Sequence, residues 1–196
     1  MSTLRRAFLL CLFAMALPAS LCAQPVDVAG VKYEPTAQLG GARLLLNGAG
    51  IRYKFVIKVY TAGLYLGAKA ATPDAVYAAQ GPRRMHVVML RDIDANELGK
   101  LFTDGMKKNS TREQFAKVIP GTVALGELFS ARKKLVAGDS FSVDYLPGTG
   151  TTIVINGKGA NEPIKEPEFF NALMRIWLGD SPADYQLKDA LLGVQQ

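Results

Sequence analysis

Cysteine, histidine and tryptophan are scarce in this sequence. Its 196 residues include two Cys, one His and one Trp. So few thiols and imidazoles leave little material for a transition-metal cluster or for a nucleophile activated by a histidine. Because no group of His, Cys and carboxylate residues has metal-ligand spacing either, the sequence predicts neither a metal nor a cofactor.

Extremes of composition are also missing. Hydrophobic residues make up 49% of the chain and charged residues 20%, which is close to the average for soluble domains. These proportions exclude the disordered, collagen-like and polytopic membrane classes. The length suits one domain with a core large enough to fold without disulfides.

The first 23 residues have the pattern of a secretory signal peptide. Arg5 and Arg6 precede an apolar run at 7–17, and Pro18 leads into small residues. The apolar run is too short for a comfortable membrane span, and a polar chain follows it. We therefore predict a signal peptide at 1–23, cleaved after Ala23, and a single domain at 24–196 that is periplasmic or secreted.

Two alternatives remain open for this segment, namely lipidation at Cys22 and an uncleaved anchor. Cleavage after Ala23 would remove both Cys11 and Cys22, so the mature chain would contain no thiol. Loss of Arg5 and Arg6 would leave 21 of the 23 basic residues against 17 acidic ones. These charges are interspersed, so nucleic acid is not a predicted partner, and no membrane span remains after signal removal.

The region from Ala42 to Leu66 carries the clearest pattern in the chain. Asn47 to Gly50 has the composition of a turn, and the run from Ile51 to Tyr60 then alternates between two faces. Strict alternation over about ten residues predicts one long strand with a buried face.

Capping signatures, turn residues and apolar spacing indicate the remaining elements. Together they predict an α+β fold of mainly antiparallel strands with inserted helices and a helical end. The predicted elements are a first strand at 28–33, helices at 72–80, 94–108, 111–119, 123–134 and 166–178, a strand at 83–91, a hairpin at 140–155 and a last helix that begins at Ser181-Pro182.

One face of the long strand is cationic. Arg52, Lys54 and Lys58 share it with Tyr60. The simpler interpretation is the solvated side of a half-buried strand. The functional interpretation is an anion site at the mouth of an apolar cavity, because Arg offers a planar fork of donors that matches a carboxylate.

Several segments resemble the chalcone isomerase superfamily, and more specifically its bacterial exported chalcone isomerase-like proteins. The resemblance rests on Leu46–Arg52, Ile57–Leu66, Tyr145–Gly150 and Arg175–Gly179, taken in this order and spacing. It spans most of residues 40–192. The resemblance implies an open-faced β-sandwich, in which a layer of helices covers a large antiparallel sheet.

The resemblance also implies which residues form the site. The family includes enzymes that close a flavanone ring and non-catalytic members that bind fatty acids in the equivalent cleft. By this resemblance Arg52 and Tyr60 would bind a ligand carboxylate, with Lys54, Lys58 and Thr61 as further candidates. No catalytic residue is assigned.

Four positions depart from the pattern of the family enzymes, and one of them is Tyr60, where the enzymes have a Thr. The Tyr and Asn of the enzymes' helix fall at Leu98 and Gly105, and a further hydroxyl residue falls at Ala160. These departures argue against ring-closing catalysis. The poverty in His and Cys points the same way.

A distance argument bears on the pair of Arg52 and Tyr60. In a straight strand, eight residues at about 3.3 Å each would separate them by about 26 Å. Both can touch one carboxylate only if a bend, bulge or turn falls between them, and no Gly or Pro lies there.

The sequence therefore predicts an exported, non-catalytic binding protein for a fatty acid or similar amphiphilic carboxylate. The ligand would lie in a cleft between the sheet and the helices. An intramolecular lyase or isomerase of the chalcone isomerase type is one alternative. A protein-interaction module of the cell envelope, with an unknown protein partner, is the other.

Overall fold

A computed structural model of the chain describes residues 24–159 and 161–194. The predicted signal peptide lies outside the described residues. The elements, in chain order, are β1 (Val26–Val28), β2 (Val31–Tyr33), β3 (Thr36–Leu39), β4 (Ala42–Lys54), β5 (Ile57–Leu66), α1 (Pro73–Ala78), β6 (Arg83–Met89), β7 (Ile93–Asp94), α2 (Ala95–Lys108), α3 (Arg112–Ser130), β8 (Lys134–Leu135), β9 (Ser140–Leu146), β10 (Gly150–Ile155), β11 (Lys158–Gly159), α4 (Pro167–Leu178) and α5 (Tyr185–Leu191).

Seven of these strands form one antiparallel sheet in the order β11-β10-β9-β6-β5-β4-β3. The main apolar core lies between this sheet and the helices. At its centre the Phe102 ring meets Phe129, Phe141 and Trp177 edge-on, with centroids 5.6–5.7 Å apart. The predicted α+β class, with helices covering a large antiparallel sheet, is confirmed.

A smaller apolar cluster covers the opposite face of the sheet. It joins Tyr33 of β2 to Leu44 and Leu46 of β4 and Tyr65 of β5. The predicted single first strand is instead a small hairpin of β1 and β2. Tyr33 of this hairpin packs on the second face of the sheet. None of the helices that the structure describes is both long enough and apolar enough to cross a membrane.

The region from Ala42 to Leu66 is a hairpin of β4 and β5, so the predicted single strand from Ile51 to Tyr60 is wrong. Lys54 pairs with Ile57 across a two-residue turn at Phe55 and Val56. Phe55 adopts a positive φ of 58°, as the first residue of a hairpin turn often does.

The predicted turn at Asn47–Gly50 is also wrong, because β4 runs through this segment with a bulge between Leu46 and Gly48. Its glycines are explained by packing, since a Cβ at Gly48 would lie 2.0 Å from the carbonyl oxygen of Ala190 in α5. The Asn47 amide donates to the carbonyl oxygens of Ala70, at 2.8 Å, and Leu191, at 2.7 Å. The segment is therefore a close contact between a strand and a helix.

Two helix boundaries also differ from the prediction. Pro120 and Gly121 do not interrupt α3, which continues to Ser130. The last helix begins after Asp184, whose carboxylate accepts hydrogen bonds from the first-turn backbone, and not at Ser181. The other helices begin and end within about two residues of their predicted positions, as terminal assignments allow.

Candidate ligand-binding cleft

A cleft of about 630 Å³ opens between the tip of the β4–β5 hairpin, helix α2 and the segment that follows α4. This volume is typical of small-molecule sites. Most of the inner wall is apolar and is formed by Val59, Leu98, Phe102 and Ile176.

The two residues that are predicted to bind a ligand carboxylate lie side by side in this cleft. Arg52 of β4 pairs directly with Tyr60 of β5, and both line the wall. Side chains of directly opposed residues project from the same face, with Cβ atoms about 4.5–5.5 Å apart. The turn at Phe55 and Val56 thus meets the condition set by the distance argument, although neither residue is Gly or Pro.

The Arg52 guanidinium forms no ion pair with a described residue. It is half-buried, and its Nη1 donates to the carbonyl oxygen of Tyr53 at 2.5 Å. The carboxylate of the neighbouring Asp184 accepts hydrogen bonds from the backbone N–H of Tyr53, at 2.7 Å, and from two backbone N–H groups in the first turn of α5. Most of the five N–H donors of Arg52 are therefore available to a ligand.

Tyr60 presents a hydroxyl whose proton is free. Its oxygen accepts a hydrogen bond from Nε1 of Trp177 at 2.9 Å, and no described residue accepts the Tyr60 proton. Burial raises the pKa of Tyr60 to about 12, although the nearby charge of Arg52 and the bond from Trp177 lower it in part. Tyr60 is therefore a neutral donor at ordinary pH, aligned beside a cation.

The three further candidate residues differ in exposure and in their position relative to the cleft. Lys54 is exposed and lines the mouth of the cleft, whereas Lys58 is exposed on β5 and is not part of the lining. Thr61 is fully buried, and its hydroxyl accepts from the Tyr33 hydroxyl at 2.8 Å. Because Tyr33 belongs to the second apolar cluster, Thr61 faces away from the cleft. Ligand contact by Lys54 or Lys58 stays a prediction.

Sequence comparison supports the resemblance. The sequence model of the chalcone isomerase-like family matches residues 25–193. The chain belongs to the chalcone isomerase-like family. No curated protein matches it.

A solved structure with the same fold is the crystal structure of a fatty-acid binding protein from Arabidopsis thaliana. It matches with a TM-score of 0.67 and 14% sequence identity, covering 86% of this chain and 96% of that one. At this identity the likeness shows a shared chalcone isomerase-like fold.

Two of the departures from the enzymes of the chalcone isomerase family fall on the helical wall of the cleft. Leu98 and Gly105 both lie on α2 and line the wall. Gly105 packs tightly, since a Cβ there would lie 3.2 Å from the side chain of Ile176. Neither position offers a hydroxyl or an amide side chain to a ligand. Ala160 lies outside the described residues.

Two residues that matter for the cleft were not singled out from the sequence. The sequence pattern indicates only that Trp177 belongs to the predicted helix at 166–178 and Phe55 to the predicted strand from Ile51 to Tyr60. The sole Trp in a core helix is a usable signal, because a buried indole N–H nearly always finds an acceptor. Nothing in the local sequence marks Phe55 as a turn residue.

Proposed function

We propose that this protein is an exported, non-catalytic binding protein for a fatty acid or a similar amphiphilic carboxylate. The observation that carries the proposal is the pair formed by Arg52, a half-buried cation without an ion-pair partner among the described residues, and Tyr60, which has a free hydroxyl proton. Both line an otherwise largely apolar cleft.

The head group would lie between these two side chains. One carboxylate oxygen accepts from the Arg52 guanidinium and the other from the Tyr60 hydroxyl. Hydrogen bonds that involve a charged group stabilise by about 1.5–3 kcal/mol each. Such a pair favours a carboxylate over an alcohol or an ester of the same chain length.

The tail of the ligand would lie along the apolar wall formed by Val59, Leu98, Phe102 and Ile176. Each methylene that leaves water contributes about 0.8 kcal/mol before the cost of ordering the chain. The structurally similar fatty-acid binding protein of Arabidopsis thaliana supports this class of ligand.

The cleft favours binding over turnover. Among the lining residues that could act as a base, Asp92 is bound to Lys134 and to the backbone of Ala137. Asp94 caps α2 by accepting from the backbone N–H of Glu97. The remaining carboxylates of the lining are exposed on α2, and no histidine lines the cleft.

Export rests on the pattern of residues 1–23. Sequencing the N-terminus of protein recovered from the periplasm or medium tests it, and a chain that begins at Gln24 is expected. Recovery of the full-length chain in the cytoplasm would contradict export without touching the binding proposal.

The binding proposal is tested by titrating delipidated protein with a long-chain fatty acid and with its methyl ester. Arg52→Met retains most of the apolar bulk of the side chain and removes the charge. It is expected to weaken fatty-acid binding by about 10- to 150-fold, because a lost charge-assisted hydrogen bond is worth about 1.5–3 kcal/mol. Binding of the ester should change little.

Arg43→Met is the matched control, since Arg43 is an exposed cation on the same strand away from the cleft. It should bind both ligands as the wild type does. Equal fatty-acid affinity of Arg52→Met and the wild type would refute the proposed head-group site. Turnover of a chalcone by the wild type would instead favour an isomerase.

A further inference from the structure

The tip of the β4–β5 hairpin exposes more apolar side chain than its fold requires. Phe55 is 92% exposed, Val56 91% and Ile57 45%. Across the mouth of the cleft Leu101 of α2 is 45% exposed. Phe55, Ile57 and Leu101 all line this mouth, so the apolar patch surrounds the entrance to the cleft.

Local structure does not explain these residues. A two-residue hairpin turn favours Gly, Asn or Asp, because its first residue takes a positive φ. Phe55 adopts φ 58° with a bulky side chain that packs on almost nothing. Val56 is β-branched and equally unpacked. Both residues disfavour the turn and contribute no burial within the described chain, so an external contact is the remaining reason for them.

The charges beside the tip have one sign. Residues 52–58 contain Arg52, Lys54 and Lys58 and no carboxylate. Lys54 and Lys58 are exposed and form no ion pair with a described residue. The acidic residues of the cleft lining lie on the segment that leads into α2 and on α2 itself, across the mouth from the hairpin.

From this arrangement we infer that the hairpin tip, residues 54–58, docks on the surface of an anionic lipid bilayer. Phe55, Val56 and Ile57 enter the boundary between head groups and acyl chains, while Lys54 and Lys58 contact anionic head groups. Amphipathic elements with aromatic and aliphatic tips flanked by Lys bind membranes in this way. Docking turns the mouth of the cleft toward the acyl chains. Passage of a ligand between bilayer and cleft rests on the proposed function, whereas docking itself does not.

Flotation of delipidated protein with ligand-free vesicles tests the inference. Vesicles of phosphatidylethanolamine and phosphatidylglycerol are compared with vesicles of phosphatidylcholine. The wild type is expected to float with the anionic vesicles, and the bound fraction should fall as salt is added. Phe55→Asn combined with Val56→Ser should reduce partitioning at least tenfold. This variant suits the turn, since Asn tolerates a positive φ, so it should fold at least as well as the wild type.

Ile119→Ser combined with Val123→Ser is the matched control. These two residues of α3 are 46% and 55% exposed and do not line the cleft. The control should float as the wild type does. Lys54→Gln combined with Lys58→Gln should abolish the preference for anionic over zwitterionic vesicles.

Three results would overturn the inference. One is the absence of wild-type flotation, and another is equal flotation of the tip variant and the wild type. The third is a wild-type dimer that the tip variant converts to a monomer, because the patch would then be covered by a second copy of the chain. Fatty-acid affinity is measured separately in solution without vesicles. A wild type that binds the fatty acid but does not float therefore refutes docking alone, and a wild type that floats but does not bind the fatty acid refutes the proposed function alone.

Discussion

Removing the Tyr60 hydroxyl by Tyr60→Phe should lower both the stability of the protein and its affinity for a fatty acid. The hydroxyl oxygen accepts the indole N–H of Trp177 at 2.9 Å, where Trp177 is 0% and Tyr60 4% exposed. The substitution leaves this N–H buried without a partner, which costs about 1–3 kcal/mol of unfolding free energy. For a chain of this size each kcal/mol lowers the Tm by about 2–4 °C.

The effect on binding has a separate cause. The Tyr60 proton has no acceptor among the described residues, so a bound carboxylate is its expected partner. Loss of a hydrogen bond to a charged group should weaken fatty-acid binding by about 1.5–3 kcal/mol, roughly 10- to 150-fold. Chemical denaturation measures the first effect, and calorimetric titration of the folded variant measures the second.

Tyr65→Phe provides the control on the same strand. Its hydroxyl donates to the carbonyl oxygen of Glu34 at 3.1 Å, and its ring belongs to the cluster on the opposite face of the sheet. This variant should lose some stability and no affinity. Wild-type affinity in Tyr60→Phe would refute the assignment of the hydroxyl to the ligand. Wild-type stability would refute the importance of its bond to Trp177.

Two further predictions concern other parts of the fold. Gly48→Ala should destabilise the protein by about 1–3 kcal/mol in chemical denaturation, because the new methyl group meets the Ala190 carbonyl. Gly126→Ala, in open space on α3, should be neutral or stabilising, and equal effects would contradict the contact. Burial, followed by the charge of Arg84, lowers the pKa of His86 below 6.5. As the pH falls, the histidine of the unfolded chain therefore takes up a proton before that of the folded chain does. The free energy of unfolding should fall as the pH falls below about 6.5, by at most about 1.4 kcal/mol per pH unit. The variant His86→Gln should lack this dependence. His86 is the only histidine, so its NMR titration is unambiguous, and a pKa at or above 6.5 would contradict the reasoning.

Sequence patterns predicted the sheet and most helices, but they misplaced the turn that shapes the cleft. Asn47 to Gly50 has turn composition, yet its glycines serve the close approach of α5 to β4. Phe55 and Val56 have strand composition, yet they form the turn. Composition indicates which conformations a residue tolerates. The first outcome depends on contacts with a helix more than 130 residues away, and the second falls on two turn residues that are 92% and 91% exposed.

The candidate site was predictable in its residues and not in its geometry. The family resemblance pointed to Arg52 and Tyr60, but a straight strand would have kept them apart. Only the register of β4 against β5 places them opposite one another. Trp177 could not be assigned to Tyr60 from the sequence, because the pair is separated by 117 positions and joined only by the packing of α4 on the sheet.

Because Arg52 pairs directly with Tyr60, the strand side and the helix side of the cleft depend on different features of the fold. The distance between these two backbones is fixed by inter-strand hydrogen bonding, which all sheets share. The facing wall of the cleft is formed by Leu98, Phe102 and Gly105 of α2. A substitution at one of these positions changes the depth or width of the cleft without altering the distance between the two strands. Substitutions on α2 should therefore change the length and shape of the ligand chain that the cleft admits, while the proposed head-group contacts of Arg52 and Tyr60 stay the same.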